Sequence, residues 1–463
     1  MKKVIGFIGC VMLLCSCGIY KKYERPAVNT NNLYGKEAVL FDTVPIGQLH
    51  WSELFTDPQL RRLIEDGLKR NTDLRIAYLK VQEAQAALQS SRLTYLPSVS
   101  LEPQGSASSF DGRKATQTYR FAVTAGWEID LFGKLTNAKR GAKAALEETE
   151  YYRQAVQTQL VSTIANNYYT LLMLDEQLDI MERTLDTWRE SVKTIRALKN
   201  AGQATEAAVA QAESSCLSVE SSVLSLKRQI KETENGLSSL LADTPGHIER
   251  GTLEGQHFPD SLSAGIPLVL LSKRPDVKQA EAALARSYYA TNEARSAFYP
   301  SITLSGTAGW TNSDGGSIVN PGTWLLQAIG SLVQPIFNRG TNIARLKIAK
   351  AQEEEALLAF QQSLLNAGSE VNNALVQWQT AREQIVLGKQ QITKLGIAAK
   401  STQLLMEHGN TSCLEVLVAQ QTLLQAELEQ VANGFNEIQG VISLYHAVGG
   451  GAYPRLEEPG THP

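Results

Sequence analysis

The chain has 463 residues, 43% of them hydrophobic, with 44 Lys and Arg against 47 Asp and Glu for a formal charge of −3. That balance offers no electrostatic basis for binding nucleic acid. Five cysteines are too few for a disulfide scaffold in a chain this long, and the six histidines (50, 247, 257, 408, 446, 462) never fall at metal-ligand spacing.

Residues 1–16 predict an export signal: Lys2-Lys3 precede the short apolar run Val4–Cys15. Its end, Leu14-Cys15-Ser16-Cys17, resembles a bacterial lipobox, which implies cleavage before Cys17 and diacylation of its sulfur. Gly18, where an inner-membrane lipoprotein often has Asp, implies sorting to the outer membrane. Residues 17–56 then form a lipidated N-terminal arm. No later segment supplies about 18 consecutive apolar residues, so a membrane crossing by the mature chain must use strands.

From residue 57 the chain says the same thing twice. Asp73–Ser98 is echoed by Asp276–Ser301, each an Ala-rich helical stretch closing on Pro-Ser before strand-like alternation. Leu131-Phe132-Gly133-Lys134 answers Ile336-Phe337-Asn338-Arg339, and Gly202 answers Gly409, at offsets of 203, 205 and 207. Two copies are too few for a solenoid, which needs roughly three.

The first repeat, 57–242, opens with a helix over 57–95 and a strand from Ser98 to Ser106. A polar loop over Ser106–Thr118 leads to alternation from Tyr119 to Leu131. Apolar residues from Leu160 to Ile195 then recur at spacings of four and three, a coiled-coil seam interrupted at Asn167. Gly202 is the expected stop before a return helix over 203–242. Free Cys216 lies in the apolar stripe of that helix. A Gly- and Pro-rich connector covers 243–271.

The second repeat, 272–448, copies this order: helix over 272–298, strand over Ile302–Trp310, loop, and strand over Thr323–Phe337. A long seam from Leu357 to Leu395, interrupted at Gly388, leads to the turn at Gly409 and a return helix over 410–448. Residues 449–463 form a polar tail. The fold expected is an α+β membrane protein, internally duplicated, with a long α-helical coiled-coil barrel and transmembrane β-barrel strands, four per chain. Each strand pair reaches the ~9–11 residues that a tilted bilayer crossing takes.

No HExxH, CxxC, GxSxG or Walker loop is present, so no catalytic, metal or cofactor site is expected. Asp73 and Asp276 open helices, where a carboxylate complements the dipole.

Lys273-Arg274-Pro275-Asp276, Ala280-Glu281 and Ala297-Phe298-Tyr299-Pro300-Ser301-Ile302 resemble the signature of TolC/OprM-type outer-membrane factors, in the lipoprotein branch that serves drug efflux. Tyr23-Glu-Arg-Pro26, Trp51-Ser-Glu-Leu-Phe-x-Asp-Pro and Asn71-x-Asp-Leu resemble the same branch. The resemblance implies a homotrimer with a twelve-stranded barrel in the outer membrane of a Gram-negative bacterium. It also implies a helical tunnel in the periplasm, a periplasmic adaptor and an inner-membrane pump of the RND class. The implied function is passive export of small molecules such as drugs. Type I protein secretion and metal-ion efflux are the alternatives within transport, and a periplasmic coiled-coil structural lipoprotein is the alternative outside it. Relatives often place an acid two residues after the second turn glycine; here that position is Thr411. Candidate gate residues are Gly202, Leu405, Glu407, His408, Gly409, Asn410 and Thr411, with Lys199, Asn200 and Gln203 on the first turn.

Overall fold

The structure is a computed structural model that describes residues 20–27, 46, 49–112, 115–256, 258, 274–312, 323–408 and 411–450. The signal segment, Cys17, Gly409, Asn410 and the tail beyond 450 lie outside the described residues, as does the side chain of Glu407.

In chain order the elements are α1 (Trp51–Leu54), α2 (Pro58–Arg70), α3 (Thr72–Leu93), β1 (Ser98–Ser108), β2 (Thr116–Ile129), α4 (Lys134–Asn200), α5 (Glu206–Leu240), α6 (Pro275–Ser296), β3 (Ser301–Thr311), β4 (Thr323–Val333), α7 (Thr341–Glu407) and α8 (Cys413–Ala447). The four strands form one antiparallel sheet in the order β1-β2-β3-β4, so within a single chain β1 and β4 each leave one edge unpaired. Among the described residues, no helix is long and apolar enough to cross a membrane.

The duplication is kept to the residue in every helix pair after α2 and in the first strand of each hairpin, while β2 has 14 residues and β4 has 11. Helices α4 and α7 both have 67 residues, and α5 and α8 both have 35. Helices α3 and α6 both have 22 residues, and β1 and β3 both have 11. At about 1.5 Å per residue, each long helix is about 100 Å of continuous helix. The offset is 203 up to β1 and β3, and 207 from the start of β2 and β4 onward. The change falls in the hairpin loops, 109–115 in the first copy and 312–322 in the second. The pairing of Gly133 with Asn338 at an intermediate offset therefore gives way to Gly133 with Gly340. Both glycines have positive φ, 70° and 76°, where the chain leaves the sheet and enters a long helix.

Three expected boundaries move. The helix over 57–95 is two helices, because Asn71 ends α2 in an extended conformation and caps α3, its Oδ1 accepting from the Leu74 amide at 2.9 Å. The loop over Ser106–Thr118 is shorter, since pairing runs on to Ser108 opposite Thr116 and the Ser106 and Thr118 hydroxyls bond at 2.6 Å. Strand β4 stops at Val333, not Phe337, because Pro335 has no amide for the ladder.

Compactness does not follow the repeats. One unit comprises 1–28, 79–151 and 278–362, and the other 29–78, 152–277 and 363–463. Each gathers matching pieces of both copies, so neither repeat is a domain by itself. The first unit holds the sheet. The second is cored by Ile164, Tyr168, Leu171, Leu237, Val371 and Tyr445, all buried.

Candidate functional site

The register of the sheet sorts its side chains into two faces. Phe121, Val123, Ala125, Trp127 and Ile129 of β2 lie opposite Trp310, Ala308, Gly306, Leu304 and Ile302 of β3. These in turn lie opposite Trp324, Leu326, Ala328, Gly330 and Leu332 of β4. Val99, Leu101 and Pro103 continue the face onto β1. Every one of these residues is apolar, and Trp324 and Leu326 are 74% and 86% exposed. The other face carries Ser98, Ser100, Glu102 and Gln104 on β1, Arg120, Thr124 and Glu128 on β2, and Ser301, Thr303, Ser305 and Thr307 on β3, while β4 adds Gln327 and Ser331 among Leu325, Ile329 and Val333.

Aromatic rings mark both ends of the apolar face. Trp310 lies 6.5 Å from Phe121 and 4.9 Å from Trp324 at one end. At the other, Trp127 Nε1 donates to the Tyr95 carbonyl at 2.9 Å, and Phe132 stacks on Tyr299 at 5.1 Å. Residues 121 to 127 span about 20 Å of strand, close to the ~25 Å apolar band of outer-membrane barrels. An uncharged face bounded by amphipathic rings is suited to lipid, and a hydroxyl-rich face to water.

The two helical hairpins turn next to each other. At the first turn Gly202 has φ 75°, its amide donates to the Lys199 carbonyl at 2.9 Å, and the Gln203 amide donates to the Leu198 carbonyl at 2.8 Å. This is a Schellman stop, which satisfies carbonyls that the helix end leaves open. Thr205 caps α5 and Ser412 caps α8. Ile195, Val209, Ala212 and Leu417 are buried together, so α8 packs on the first hairpin at its end. A crevice of about 500 Å³ separates the turns, lined by Leu198, Gln203 and Ala208 on one side and Met406, Thr411 and Cys413 on the other.

Of the gate candidates, the fold brings Gln203 and Thr411 to this crevice. Leu405 is 45% exposed and turned away from the core. His408 is exposed, and its Nδ1 lies 2.8 Å from the Leu404 carbonyl of its own helix. Lys199 pairs with Glu206 across the first turn. The Thr411 hydroxyl donates to the Glu415 carboxylate. An acid therefore does stand beside residue 411, supplied from the first turn of α8. The sequence signal for Glu415 is Ser412-x-x-Glu415, the spacing of a helix N-terminus.

The signature residues stand at joints. Arg274 is 2% exposed; its Nη1 donates to the Ala447 carbonyl at the end of α8 at 2.7 Å. Its other nitrogens hold Asp276 (2.9 and 2.6 Å) and Glu370 (2.7 Å). Burial by itself would raise the Asp276 pKa, but the Arg274 guanidinium keeps it below the usual carboxylate range. Pro275 opens α6, where its missing amide costs nothing. Asn71 is the counterpart of Arg274 in the first repeat, and its Nδ2 donates to the Leu240 carbonyl at the end of α5 at 2.8 Å. Each short helix is thus bonded end to end to its return helix.

Ala280 and Glu281 follow on α6, and Glu281 takes Arg25 in a two-pronged ion pair, uniting two separate sequence motifs. Pro300 immediately precedes β3, which Ser301 begins. Trp51, Leu54 and Phe55 are buried, and Asp57 caps α2 while accepting from the Tyr168 hydroxyl at 2.7 Å. Cys216 and Cys413 are free and partly buried.

The model of the family described as Outer membrane efflux protein matches residues 63–243 and 267–450. Cation efflux system protein CusC of Escherichia coli (strain K12) is 30% identical over 448 residues, covering 96% of this chain and 98% of that protein. This chain belongs to the outer membrane efflux protein family. Toluene efflux pump outer membrane protein TtgC of Pseudomonas putida is 27% identical over 471 residues, 98% of this chain and 96% of that one. The crystal structure of CusC superimposes with a TM-score of 0.82 at 29% identity, over 94% of this chain and 100% of that chain. The open state of the Neisseria gonorrhoeae MtrE outer membrane channel gives 0.84 at 27%, over 94% and 99%. As a member of the efflux family, the chain is an outer-membrane channel component of an efflux pump. Its sheet has one apolar face, and Arg274 and Asn71 bond the short helices to the ends of the return helices.

Proposed function

We propose that three copies of this chain close one twelve-stranded barrel and conduct small toxic molecules, drugs among them, passively outward. A periplasmic adaptor and an inner-membrane pump of the RND class deliver the cargo. The observation that carries this reading is a four-stranded sheet with one wholly apolar face and an unpaired strand at each edge. Hydrocarbon offers no partner for the open N–H and C=O groups of those edges, so closure needs further copies. Three give an even strand number within the range of known barrels. Diacylated Cys17 anchors each copy, since a single acyl chain would hold only marginally. Light scattering in detergent should give a trimer mass; a monomer or dimer overturns the assembly.

The turns at Gly202 and Gly409 form a tip that rests closed, because an open duct would breach the outer membrane. The gate involves Leu405, Glu407, His408, Asn410 and Thr411, with Glu415 supporting Thr411. In planar bilayers the wild type should conduct poorly, and an Ala variant at Leu405, Glu407, His408 and Thr411 should conduct better. Equal conductance moves the constriction elsewhere. A second reading, cation cargo, draws on the 30% identity with CusC. Growth protection of a duct-deficient strain against drugs or against metal cations separates the two.

A further inference from the structure

Charge is laid unevenly along both long helices where they leave the sheet. Residues 131–146 carry Lys134, Lys139, Arg140 and Lys143 and no acid; residues 334–352 carry Arg339, Arg345, Lys347 and Lys350 and no acid. Acids then begin together, at Glu147-Glu148 and at Glu353-Glu354-Glu355. At the 207-residue offset Arg140 matches Lys347, Lys143 matches Lys350, and Glu147 and Glu148 match Glu354 and Glu355. Two copies that differ at most positions of these helices have kept this order of base and acid. At α7 helix electrostatics work against it, since N-terminal turns are partially positive and favour acids; at α4 the Asp130 carboxylate, just before the basic stretch, accepts from the Leu135 and Thr136 amides. Neither α4 nor α7 has an acid in its first turn.

These bases lie at the foot of the membrane sheet. The strand ends meet there, with Ile129 opposite Ile302 and Ser301 opposite Val333. The helices join that foot directly: Thr136 Oγ1 bonds Tyr95 Oη at 2.9 Å, and Asn342 Nδ2 donates to the Ala297 carbonyl at 3.0 Å. Lys134, Lys143 and Arg345 have carboxylate partners within the chain, and Lys139 lies over the Tyr95 ring. Among the described residues, Arg140, Arg339, Lys347 and Lys350 have no ion-pair partner. Lys350 also lines a groove of about 510 Å³, where Lys21, Lys22 and Arg295 stand with Glu24, Glu353 and Glu354, so the basic stretch meets the first acids there.

We propose that this basic collar binds the anionic headgroups of membrane phospholipids and so fixes the depth of the sheet in the bilayer. A base at an anionic surface raises local lipid occupancy by about fivefold. The test uses full-length lipidated protein in nanodiscs made from equal parts phosphatidylglycerol and phosphatidylcholine, with retained lipids counted by native mass spectrometry. Wild type should keep phosphatidylglycerol several-fold over phosphatidylcholine, with the preference falling as salt rises. The variant Arg140→Gln/Arg339→Gln/Lys347→Gln/Lys350→Gln should bring retention near parity, and Lys347→Gln/Lys350→Gln should fall between. Parity in wild type, or an unchanged preference in the fourfold variant, overturns the proposal. Loss of the oligomer by that variant in both lipids also overturns it, because the bases then serve a contact between copies.

Discussion

The two helical hairpins, α4–α5 and α7–α8, match in length to the residue and differ in what holds them. In the first, Ile180, Leu185 and Trp188 are buried against Val219 and Val223, and Leu424 of α8 joins that cluster. In the second, the equivalent stretch 382–398 has no buried side chain within the chain, and Val386, Leu387 and Ile397 are 57%, 65% and 60% exposed. The layer that is Met181 with Val223 in the first hairpin is Gly388 with Gln430 in the second. Gln430 fills the space that a side chain at 388 would need, and its Oε1 has no hydrogen-bond partner. Hairpin geometry therefore needs no equal distribution of packing energy. Segments with few buried contacts are the ones that open at low cost, so within one chain the seam of the second hairpin is expected to open more easily than that of the first.

The comparison can be broken most directly at Trp188. Trp188→Ala should cost about 3–5 kcal/mol, as emptying a packed core site does, whereas its counterpart Leu395→Ala, only partly buried, should cost about 1–2 kcal/mol. Thermal loss of helix, followed by circular dichroism, compares them; equal costs would mean the two seams are equally packed.

The end-to-end joints invert the order. Arg274→Ala removes the partner of Asp276 and Glu370 and the donor to Ala447, and should cost about 3 kcal/mol. Asn71→Ala loses a cap and one donor to Leu240, about 1–2 kcal/mol. The same melts read both, and a larger loss for Asn71 would show that the charged joint adds nothing.

Gly388→Met/Gln430→Val moves the apolar layer of the first hairpin into the second. The double variant should be more stable than the two single changes predict by about 1–2 kcal/mol, and its single-channel openings should be rarer. Additive effects with unchanged openings would separate this layer from the motion.

The smallest effect is on pH dependence. Burial by itself would raise the Glu234 pKa, but hydrogen bonds from Arg250, Lys231, the Ile248 amide and His247 outweigh it and hold the group at about 2, against an ordinary 4.5. A depressed pKa contributes stability that is full above about 4.5 and is lost as pH falls towards 2. Its counterpart in the second repeat is Val441, which cannot titrate. Glu234→Gln should lower stability at neutral pH and flatten the acid side of a melt-versus-pH curve. An unchanged acid slope would show that other carboxylates set it.

Much of this was legible in the residues. Spacings of four and three from Leu160 to Ile195 gave the long helix, and alternation from Tyr119 to Leu131 gave a strand whose odd-numbered face proved apolar. Glycine marked the first turn because only a residue without Cβ enters φ 75° without strain. The candidate site was read less fully. Thr411 looked like the loss of an acid, and Glu415, four residues on, became its neighbour only once the chain entered α8.

The sequence by itself determined the order of the strands and long helices, the duplication, and the apolar alternation that makes one face of the sheet. The elements follow from periodicities within one stretch of chain, and the duplication from matching one stretch with another. Only the tertiary structure decided that Asn71 meets Leu240, that Arg274 meets Ala447, Asp276 and Glu370, and that Arg25 meets Glu281. It also decided that matching pieces of both repeats make up each compact unit. Apart from Asp276, these partners lie nearly 100 residues or more from the groups that hold them. A buried donor is satisfied by whatever acceptor the packing brings within about 3 Å, and nothing in local spacing specifies which one that is.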